Sequence, residues 1–194
     1  MENEERGMTF LGRRLIIKFN FDELKVNIMK HIMSDNSSSS LTNVGLDDVQ
    51  PNAVDLRLGK VFSITNNRFT ISEAGKEHRG SKLIEPDEEF WYDLEPGMYE
   101  VIMENVITVG TDEAGFVITR SSLNRNGVFL TSGLYDTGYS GVMAGVMHVG
   151  AGPMSIRQGT RIGQYLNFNA ESLFDYDGDY GNKKDHDKKY GENE

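Results

Sequence analysis

The apolar residues of this chain follow two periods, one helical and one of strand type. Between residues 22 and 33, Leu24, Ile28 and Ile32 recur at every fourth position, which predicts a short N-terminal helix. Farther on, apolar and polar residues alternate in short runs such as AVDLRLGKVFSI (53–64). Turn signals separate these runs roughly every 8–12 residues, and this spacing is typical of a β-sandwich or small barrel. The pattern predicts a mainly β fold.

Changes in composition divide the chain into three parts. Residues 1–43 form a predicted N-terminal arm that holds the helix and a Ser-rich linker. Residues 44–170 carry the strand pattern and predict one β domain, in which the charged segment 72–86 is a loop or insert. Residues 171–194 have too few aliphatic side chains to fold alone. They predict a flexible tail, which is either a disordered solubilising segment or an arm that orders over a ligand or a neighbouring subunit.

Composition and charge exclude several classes of function. The net charge of −10 argues against nucleic-acid and anionic-membrane partners, because those surfaces need clustered cations. The chain has no cysteine, which excludes Cys-ligated zinc and the zinc-dependent type of nucleobase deaminase. No apolar run approaches the ~20 residues that span a bilayer, and the acidic start does not resemble a signal peptide. We expect a cytoplasmic protein without metal ligands of its own.

Candidate chemistry is concentrated in the stretch TRSSLNRNGVFLTSGLYDTGYSG (119–141). Its first half places Arg120, Ser121, Ser122 and Arg125 within six residues. Arginine offers a planar fork of donors that suits phosphate oxygens, and hydroxyl groups add short donors beside it.

The second half of the stretch places an acid and an aromatic residue in a turn framed by glycines. Asp136 precedes Tyr139 by three residues, and Gly133, Gly138 and Gly141 surround them. An acid there could activate a water molecule while the ring packs on a sugar or a base. The residues alone leave two interpretations open, a polyphosphate cradle beside a general base or a hairpin with a charged rim.

Five stretches in order resemble the trimeric dUTPase and dCTP deaminase superfamily. They are VQPNAVDLRLGKVF (49–62), LEPGMY (94–99), GFVITRSSLNRNGV (115–128), GLYDTGYSG (133–141) and RQGTRIGQYLNF (157–168). The resemblance implies a jelly-roll-like fold, or distorted β-barrel, and a homotrimer whose active sites are shared between subunits. It also implies a deoxypyrimidine triphosphate as substrate, most simply dUTP, with Mg²⁺ coordinated by the substrate phosphates.

The resemblance further implies which residues meet the phosphates. Arg120, Ser121 and Ser122 would hold phosphate oxygens, and Gln164 would reach phosphate from its strand. Asp55 would lie near the shell of metal-bound water or would brace the site.

The hairpin separates the two branches of the superfamily. It would admit the deoxynucleoside, with Gly133 among the substrate-binding residues and Tyr139 packed against the deoxyribose. Asp136 matches the base of the hydrolase branch, and a tyrosine three residues later is typical of that branch. Arg125 matches an arginine of the deaminase branch, but the glutamate that the deaminase needs corresponds to Val146, which cannot transfer a proton.

These matches predict a pyrophosphohydrolase that converts dUTP to dUMP and pyrophosphate, with Asp136 activating water. One alternative is a dCTP deaminase that uses another base, for which His148 is the only titratable side chain on that strand. Another alternative is a nucleotide-binding trimer of the same fold that is catalytically weak.

Overall fold

Strands dominate the part of the chain that the structure describes. The computed structural model describes residues 10–11, 14–15, 29–182 and 184–190. Its strands are β1 (Phe10–Leu11), β2 (Arg14–Leu15), β3 (Ser40–Leu41), β4 (Val54–Ile64), β5 (Thr70–Ser72), β6 (Gly75–Glu77), β7 (Ser81–Ile84), β8 (Trp91–Leu94), β9 (Gly97–Thr108), β10 (Glu113–Thr119), β11 (Val128–Thr131), β12 (Ser140–Val149), β13 (Met154–Arg157) and β14 (Arg161–Asn169). The helical elements of these residues are α1 (Ser121–Asn124) and 3-10 turns at Leu46–Asp48 and Asp185–Tyr190. None of the helices described here is long and apolar enough to cross a bilayer.

One antiparallel sheet of eight strands forms the body of the protein. Its path runs β10–β14–β4–β9–β12–β11, while β3 adds to β9 and β7 adds to β4. Val54, Leu56 and Leu58 alternate along β4 and are fully buried, because every second side chain of a strand points to the same face. Met143 and Met147 of β12 are fully buried in the same core.

Contacts between the two ends of this path nearly close the sheet into a barrel. The Thr119 hydroxyl of β10 accepts a hydrogen bond from the Leu130 N–H at 2.8 Å and donates to the Leu130 carbonyl at 2.9 Å. Gly115 and Tyr135 exchange two backbone hydrogen bonds, of 3.0 and 2.8 Å. The mainly β, barrel-like architecture is therefore confirmed.

The predicted N-terminal helix is not found at those of its positions that the structure describes. Residues 22–28 lie outside the described part of the chain. Met29 forms a β-bridge with Phe168 of β14, and the Lys30 N–H donates to the Asn167 carbonyl at 3.0 Å. Residues 29–33 are therefore not helical, since tertiary pairing with β14 outweighs a weak helical preference.

The Ser-rich segment that follows is ordered around a buried carboxylate. Glu113 at the start of β10 is fully buried and pairs with the Lys30 ammonium at 2.9 Å. It also accepts hydrogen bonds from the Ser39 hydroxyl at 2.5 Å, the Ser38 N–H at 2.9 Å and the Asn167 amide at 2.8 Å. Burial alone would raise the pKa of Glu113, but these donors hold it well below its ordinary range. A stretch that composition marks as a linker is thus anchored to the protein core through the buried Ser39.

The charged segment predicted as a loop or insert contains short strands of its own. β5 and β6 form a hairpin, and β7 returns the chain to the main sheet beside β4. From this hairpin, Lys76 pairs with Asp179 and lies 5.2 Å from the centre of the Tyr180 ring. The insert therefore contacts the C-terminal tail.

Candidate active site

A buried carboxylate near the start of β4 contacts one arginine that follows β10 and an arginine and a glutamine from β14. Asp55 of β4 is fully buried, and its cross-strand partner Gln164 of β14 donates to Oδ1 at 3.0 Å. The Arg120 Nε and the Arg161 Nη1 lie 3.3 and 3.5 Å from Oδ2. Oδ2 has no hydrogen bond among the described residues, so the two guanidinium charges compensate for its burial electrostatically. We call these four residues the arginine cluster.

Backbone contacts fix the two guanidinium groups of the arginine cluster. Arg120 directly follows β10, and its N–H donates to the Ile162 carbonyl at 3.1 Å. Its Nη1 donates to the Arg161 carbonyl at 3.3 Å, while the Arg161 Nη1 donates to the Asp47 carbonyl at 2.8 Å. The side chains of Arg120 and Arg161 remain 26% and 33% exposed, so both can meet an anion from solvent.

The two serines of the motif lie on the single turn of α1, and the second arginine, Arg125, directly follows that turn. Ser121, Ser122 and Arg125 are exposed. The Arg120 carbonyl accepts from the Leu123 N–H at 3.1 Å, which starts the turn directly after the arginine cluster. Arginine and hydroxyl donors are therefore contiguous on the surface, as the motif predicts.

The acid and the aromatic of the hairpin belong to one tight turn. The Tyr139 N–H donates to the Asp136 carbonyl at 3.0 Å. Gly138 has φ of +81°, a left-handed conformation that favours glycine, and its N–H donates to the Val109 carbonyl at 3.1 Å. Sequence alone identifies the turn correctly, but the directions of its side chains come from the structure.

Tyr139 lines a cavity of about 640 Å³, which we call the Tyr139 cavity. The ring is buried between Tyr135 and Tyr176, whose centroids both lie 5.4 Å away at edge-to-face angles. Its hydroxyl donates to the Val142 carbonyl at 2.8 Å, and burial raises its pKa so that it stays neutral. Gly133 lines the same cavity. An aromatic wall of this kind suits a flat ring or a sugar.

Asp136 lines a second cavity of about 620 Å³, which we call the Asp136 cavity. The residue is half-buried, and the two cavities share Leu134 and Tyr176 as a common wall. The described residues that line it include the acids Asp136, Glu171 and Asp177 but no lysine or arginine. This cavity can supply a base, but it cannot neutralise a triphosphate.

The predicted site residues therefore form four groups within one subunit. Asp55, Arg120 and Gln164 are in direct contact, with Arg161 as a member that the sequence did not reveal. Gly133 and Tyr139 share one cavity, and Asp136 lies in the adjoining one. The serines, Arg125 and the arginine cluster line neither cavity.

The position that corresponds to the deaminase glutamate lies in the Tyr139 cavity. Val146 lines it, and its cross-strand partner on β9 is Glu100, which lines the same cavity. Glu100 was missed because no local motif surrounds it, and only the strand register brings it beside Val146. His148, the alternative base, is exposed, lies 6.4 Å from the Phe129 ring and lines neither cavity.

Comparison with known families gives one match that covers most of the chain. A family model described as dCTP deaminase-like matches residues 25–169. This range includes the arginine cluster, α1, the hairpin and Val146.

Curated relatives carry names from two activities. A probable deoxyuridine 5′-triphosphate nucleotidohydrolase of Halobacterium salinarum is 32% identical over 143 residues, which are 71% of this chain and 86% of the relative. A dCTP deaminase, dUMP-forming, of Mycolicibacterium paratuberculosis is 34% identical over 122 residues, which are 60% of this chain and 64% of the relative.

A solved structure shares the fold. The crystal structure of 2′-deoxycytidine 5′-triphosphate deaminase from Agrobacterium tumefaciens superposes with a TM-score of 0.53 at 19% identity. The match covers 70% of this chain and less than half, 45%, of that one. At this identity the likeness concerns the fold alone.

Proposed function

This chain belongs to the dCTP deaminase-like family, and from that premise we propose that it hydrolyses dUTP to dUMP and pyrophosphate. The observation that carries the proposal is the position of Asp136. Its carboxylate lines a cavity that shares a wall with the Tyr139 cavity, so a base stands beside a chamber suited to a nucleoside. By the resemblance, the separate glutamate that a deaminase needs corresponds to Val146, which cannot transfer a proton, and this favours hydrolysis over deamination.

The nucleoside would occupy the Tyr139 cavity. Tyr139 is held rigid by its bond to Val142 and by two edge-to-face rings, so it offers a fixed wall for the deoxyribose. Gly133 adds no side chain, and a Cβ there would meet no atom within 4 Å. The wall therefore leaves space for the ligand at that point.

The triphosphate would bind the arginine cluster together with Ser121, Ser122 and Arg125. Asp55 holds the Arg120 guanidinium, so its donors are oriented before the phosphate arrives. Gln164 is held by the same carboxylate. In this role Asp55 braces the phosphate site and is itself too deeply buried to contact the substrate.

A homotrimer would bring the separate groups together. The Asp136 cavity has three acids and no described cation, while the arginine cluster lies outside both cavities. A second copy of the chain that presents its arginine cluster to the Asp136 cavity would complete the charge balance around a triphosphate. The active site would then be shared between subunits.

Mg²⁺ would enter with the nucleotide. No group of three or more His, Asp or Glu side chains is arranged to hold a metal ion in residues 29–182 and 184–190. The buried Asp55 faces two arginines, which suit phosphate oxygens and would repel a bare cation. The residues present therefore fit a metal that the phosphates carry, and such a metal would stabilise charge on the leaving pyrophosphate.

The proposed chemical step is attack of water on the α-phosphorus. Asp136 accepts a proton from a water molecule while the water oxygen forms a bond to the α-phosphorus. The bond between the α-phosphorus and the oxygen that bridges to the β-phosphate breaks, and pyrophosphate leaves with that electron pair. Arg120 and the serines of α1 stabilise the charge that develops on the phosphate oxygens.

One assay tests the proposal against its alternatives. The protein is incubated with dUTP and with dCTP separately, with and without Mg²⁺, and pyrophosphate and ammonia are followed together. Mg²⁺-dependent pyrophosphate from dUTP without ammonia is the expected result. Ammonia from dCTP would make the protein a deaminase, and nucleotide binding without either product would make it a binding protein.

A further inference from the structure

Glu100 stands in an unusual place within the main sheet. It is the middle member of a cross-strand row, with Phe62 of β4 on one side and Val146 of β12 on the other. Its side chain is only 16% exposed and lines the Tyr139 cavity. A carboxylate between two apolar neighbours is costly to bury unless other groups compensate for its charge. The groups that compensate for this buried charge indicate the role of Glu100.

The hydrogen-bond partners of Glu100 are Lys189 and Tyr190 of the tail and Ser81 of β7. The Lys189 ammonium donates to Oε1 at 2.8 Å and to Oε2 at 3.0 Å, and the Tyr190 hydroxyl donates to Oε1 at 2.5 Å. Both oxygens are thus bonded to residues about 90 positions away in sequence. Burial alone would raise the pKa of Glu100, but these donors hold it below its usual value, so the carboxylate is ionised.

Tyr190 is bound from two further directions. The Lys60 ammonium donates to the Tyr190 carbonyl at 2.7 Å, and the Phe62 ring meets its ring at 5.9 Å in an edge-to-face contact. Only 4% of Tyr190 is exposed. A tyrosine from a charged, Gly-containing tail is therefore as deeply buried as the core residues of the barrel.

The tail residues beside this anchor cover the Tyr139 cavity. His186, Asp187, Lys189 and Tyr190 all line it. The insert supports them from the other side, because the ring of its His78 lies 4.6 Å from the His186 ring. The tail thus contacts both the insert and the sheet, and its Lys189 and Tyr190 are hydrogen-bonded to Glu100.

We propose that Glu100 is a positioning residue that docks the chain's own C-terminal segment, residues 184–190, as the roof of the Tyr139 cavity. No local sequence motif surrounds Glu100, and its cross-strand pairing places it beside Val146, the position that matches the deaminase glutamate by the resemblance. Its two oxygens are engaged by the tail, so it shapes the chamber and does not handle protons. The docking itself is independent of the proposed function, and only its effect on nucleotide affinity rests on that function.

The test compares full-length Glu100→Gln and Lys189→Met with the matched control Lys188→Met. Lys188 lies on the same turn but pairs only with its neighbour Asp185, at 71% side-chain exposure, among the described contacts. Amide hydrogen exchange of residues 184–190 is measured without nucleotide. We expect exchange about tenfold faster in Glu100→Gln and in Lys189→Met, because about 1.4 kcal/mol of docking free energy corresponds to tenfold. The control should exchange like the wild type.

A charge swap and steady-state kinetics distinguish positioning from a bulk structural effect. The double variant Glu100→Lys with Lys189→Glu should recover part of the slow exchange, since the ion pair is restored in reverse. For dUTP, KM should rise by about tenfold in Glu100→Gln while kcat changes less than about twofold.

Three results would overturn the proposal. One is wild-type exchange of the tail in Glu100→Gln and in Lys189→Met. The second is a collapse of kcat with unchanged tail exchange, which would make Glu100 a group that acts on the substrate. The third is ammonia release from dCTP that disappears in Glu100→Gln, which would assign proton transfer to it. If the wild type produces no pyrophosphate at all, the proposed function fails while the exchange comparison still decides the docking.

Discussion

Asp136 and Tyr139 are joined by a 3.0 Å backbone hydrogen bond within one turn, yet their side chains line two different cavities. The turn thus separates two side chains that the sequence places only three residues apart. Tyr139 faces the aromatic-walled cavity, and Asp136 faces the adjoining cavity. The two cavities share Leu134 and Tyr176 as a common wall.

Asp136→Asn should remove turnover and preserve binding. The amide keeps the size of the side chain but cannot accept a proton from water, and a positioned base contributes about 10²–10⁴-fold to a rate. We expect kcat for dUTP to fall within that range, while the dissociation constant of a non-hydrolysable dUTP analogue stays within about twofold. Tyr139→Ala is the comparison variant, in which the analogue should bind more weakly. Unchanged kcat in Asp136→Asn would exclude it as the base.

Asp55→Asn should weaken nucleotide binding more than it slows turnover. The substitution keeps an acceptor for Gln164 but removes the charge that holds the Arg120 and Arg161 guanidinium groups. We expect KM for dUTP to rise about tenfold, which corresponds to about 1.4 kcal/mol. Asp93→Asn is a matched control, since Asp93 is exposed on β8 and lines neither cavity. A large loss of kcat at unchanged KM would instead place Asp55 in the shell of metal-bound water.

Glu113 should make the folded state sensitive to acid. Because its pKa is lower when folded than its ordinary value of 4.5, the unfolded chain binds more protons as pH falls. Its stabilising contribution is present above about pH 4.5 and is lost below it. At pH 7, Glu113→Gln should lower the free energy of unfolding by about 3 kcal/mol. This value is at the low end of the range for removing one partner of a buried ion pair, because the Lys30 side chain remains 21% exposed.

Glu104→Gln is the matched control for that prediction, because the contribution of Glu104 to the free energy of unfolding changes with pH in the opposite direction. Burial raises the pKa of Glu104, so the folded chain binds the additional proton and acid favours folding at this position. Urea unfolding at pH 7 and at pH 4 measures both effects. Equal acid sensitivity of the wild type and Glu113→Gln would contradict the assigned role of Glu113.

Docking of the tail should weaken in mild acid through His78. His78 is exposed, but partial desolvation of its ring lowers its pKa, and the neighbouring His186, Lys76 and Lys189 lower it further against the opposing Asp179. The docked state therefore disfavours protonation, so docking is strongest above the ordinary histidine value of about 6.5 and weakens as pH falls below it.

Hydrogen exchange of residues 184–190 at pH 7.5 and pH 5.5, corrected for intrinsic rates, measures this effect. His78→Gln should reduce the dependence on pH, whereas the exposed His148→Gln should keep it. A tail whose protection is equal at both pH values in the wild type would show that His78 does not control docking.

The sequence by itself determined the class of fold and the local motifs. Period-two alternation and regular turn signals are properties of neighbouring residues, so they identify the barrel strands and the Asp136 turn without any tertiary information. The order of five stretches likewise identified the family, and the contiguous donors of Arg120, Ser121 and Ser122 are visible in one line of sequence.

Only the tertiary structure decided what depends on strand register and long-range pairing. Register places Glu100 opposite Val146 and Asp55 opposite Gln164, and a one-residue slip would turn each side chain to the other face of the sheet. Composition marked the serines around Ser39 as a linker, because their buried partner Glu113 lies 74 residues away. The helical period near Ile32 was overruled because pairing with β14 satisfies the backbone at Met29 and Lys30 more fully than a short isolated turn can.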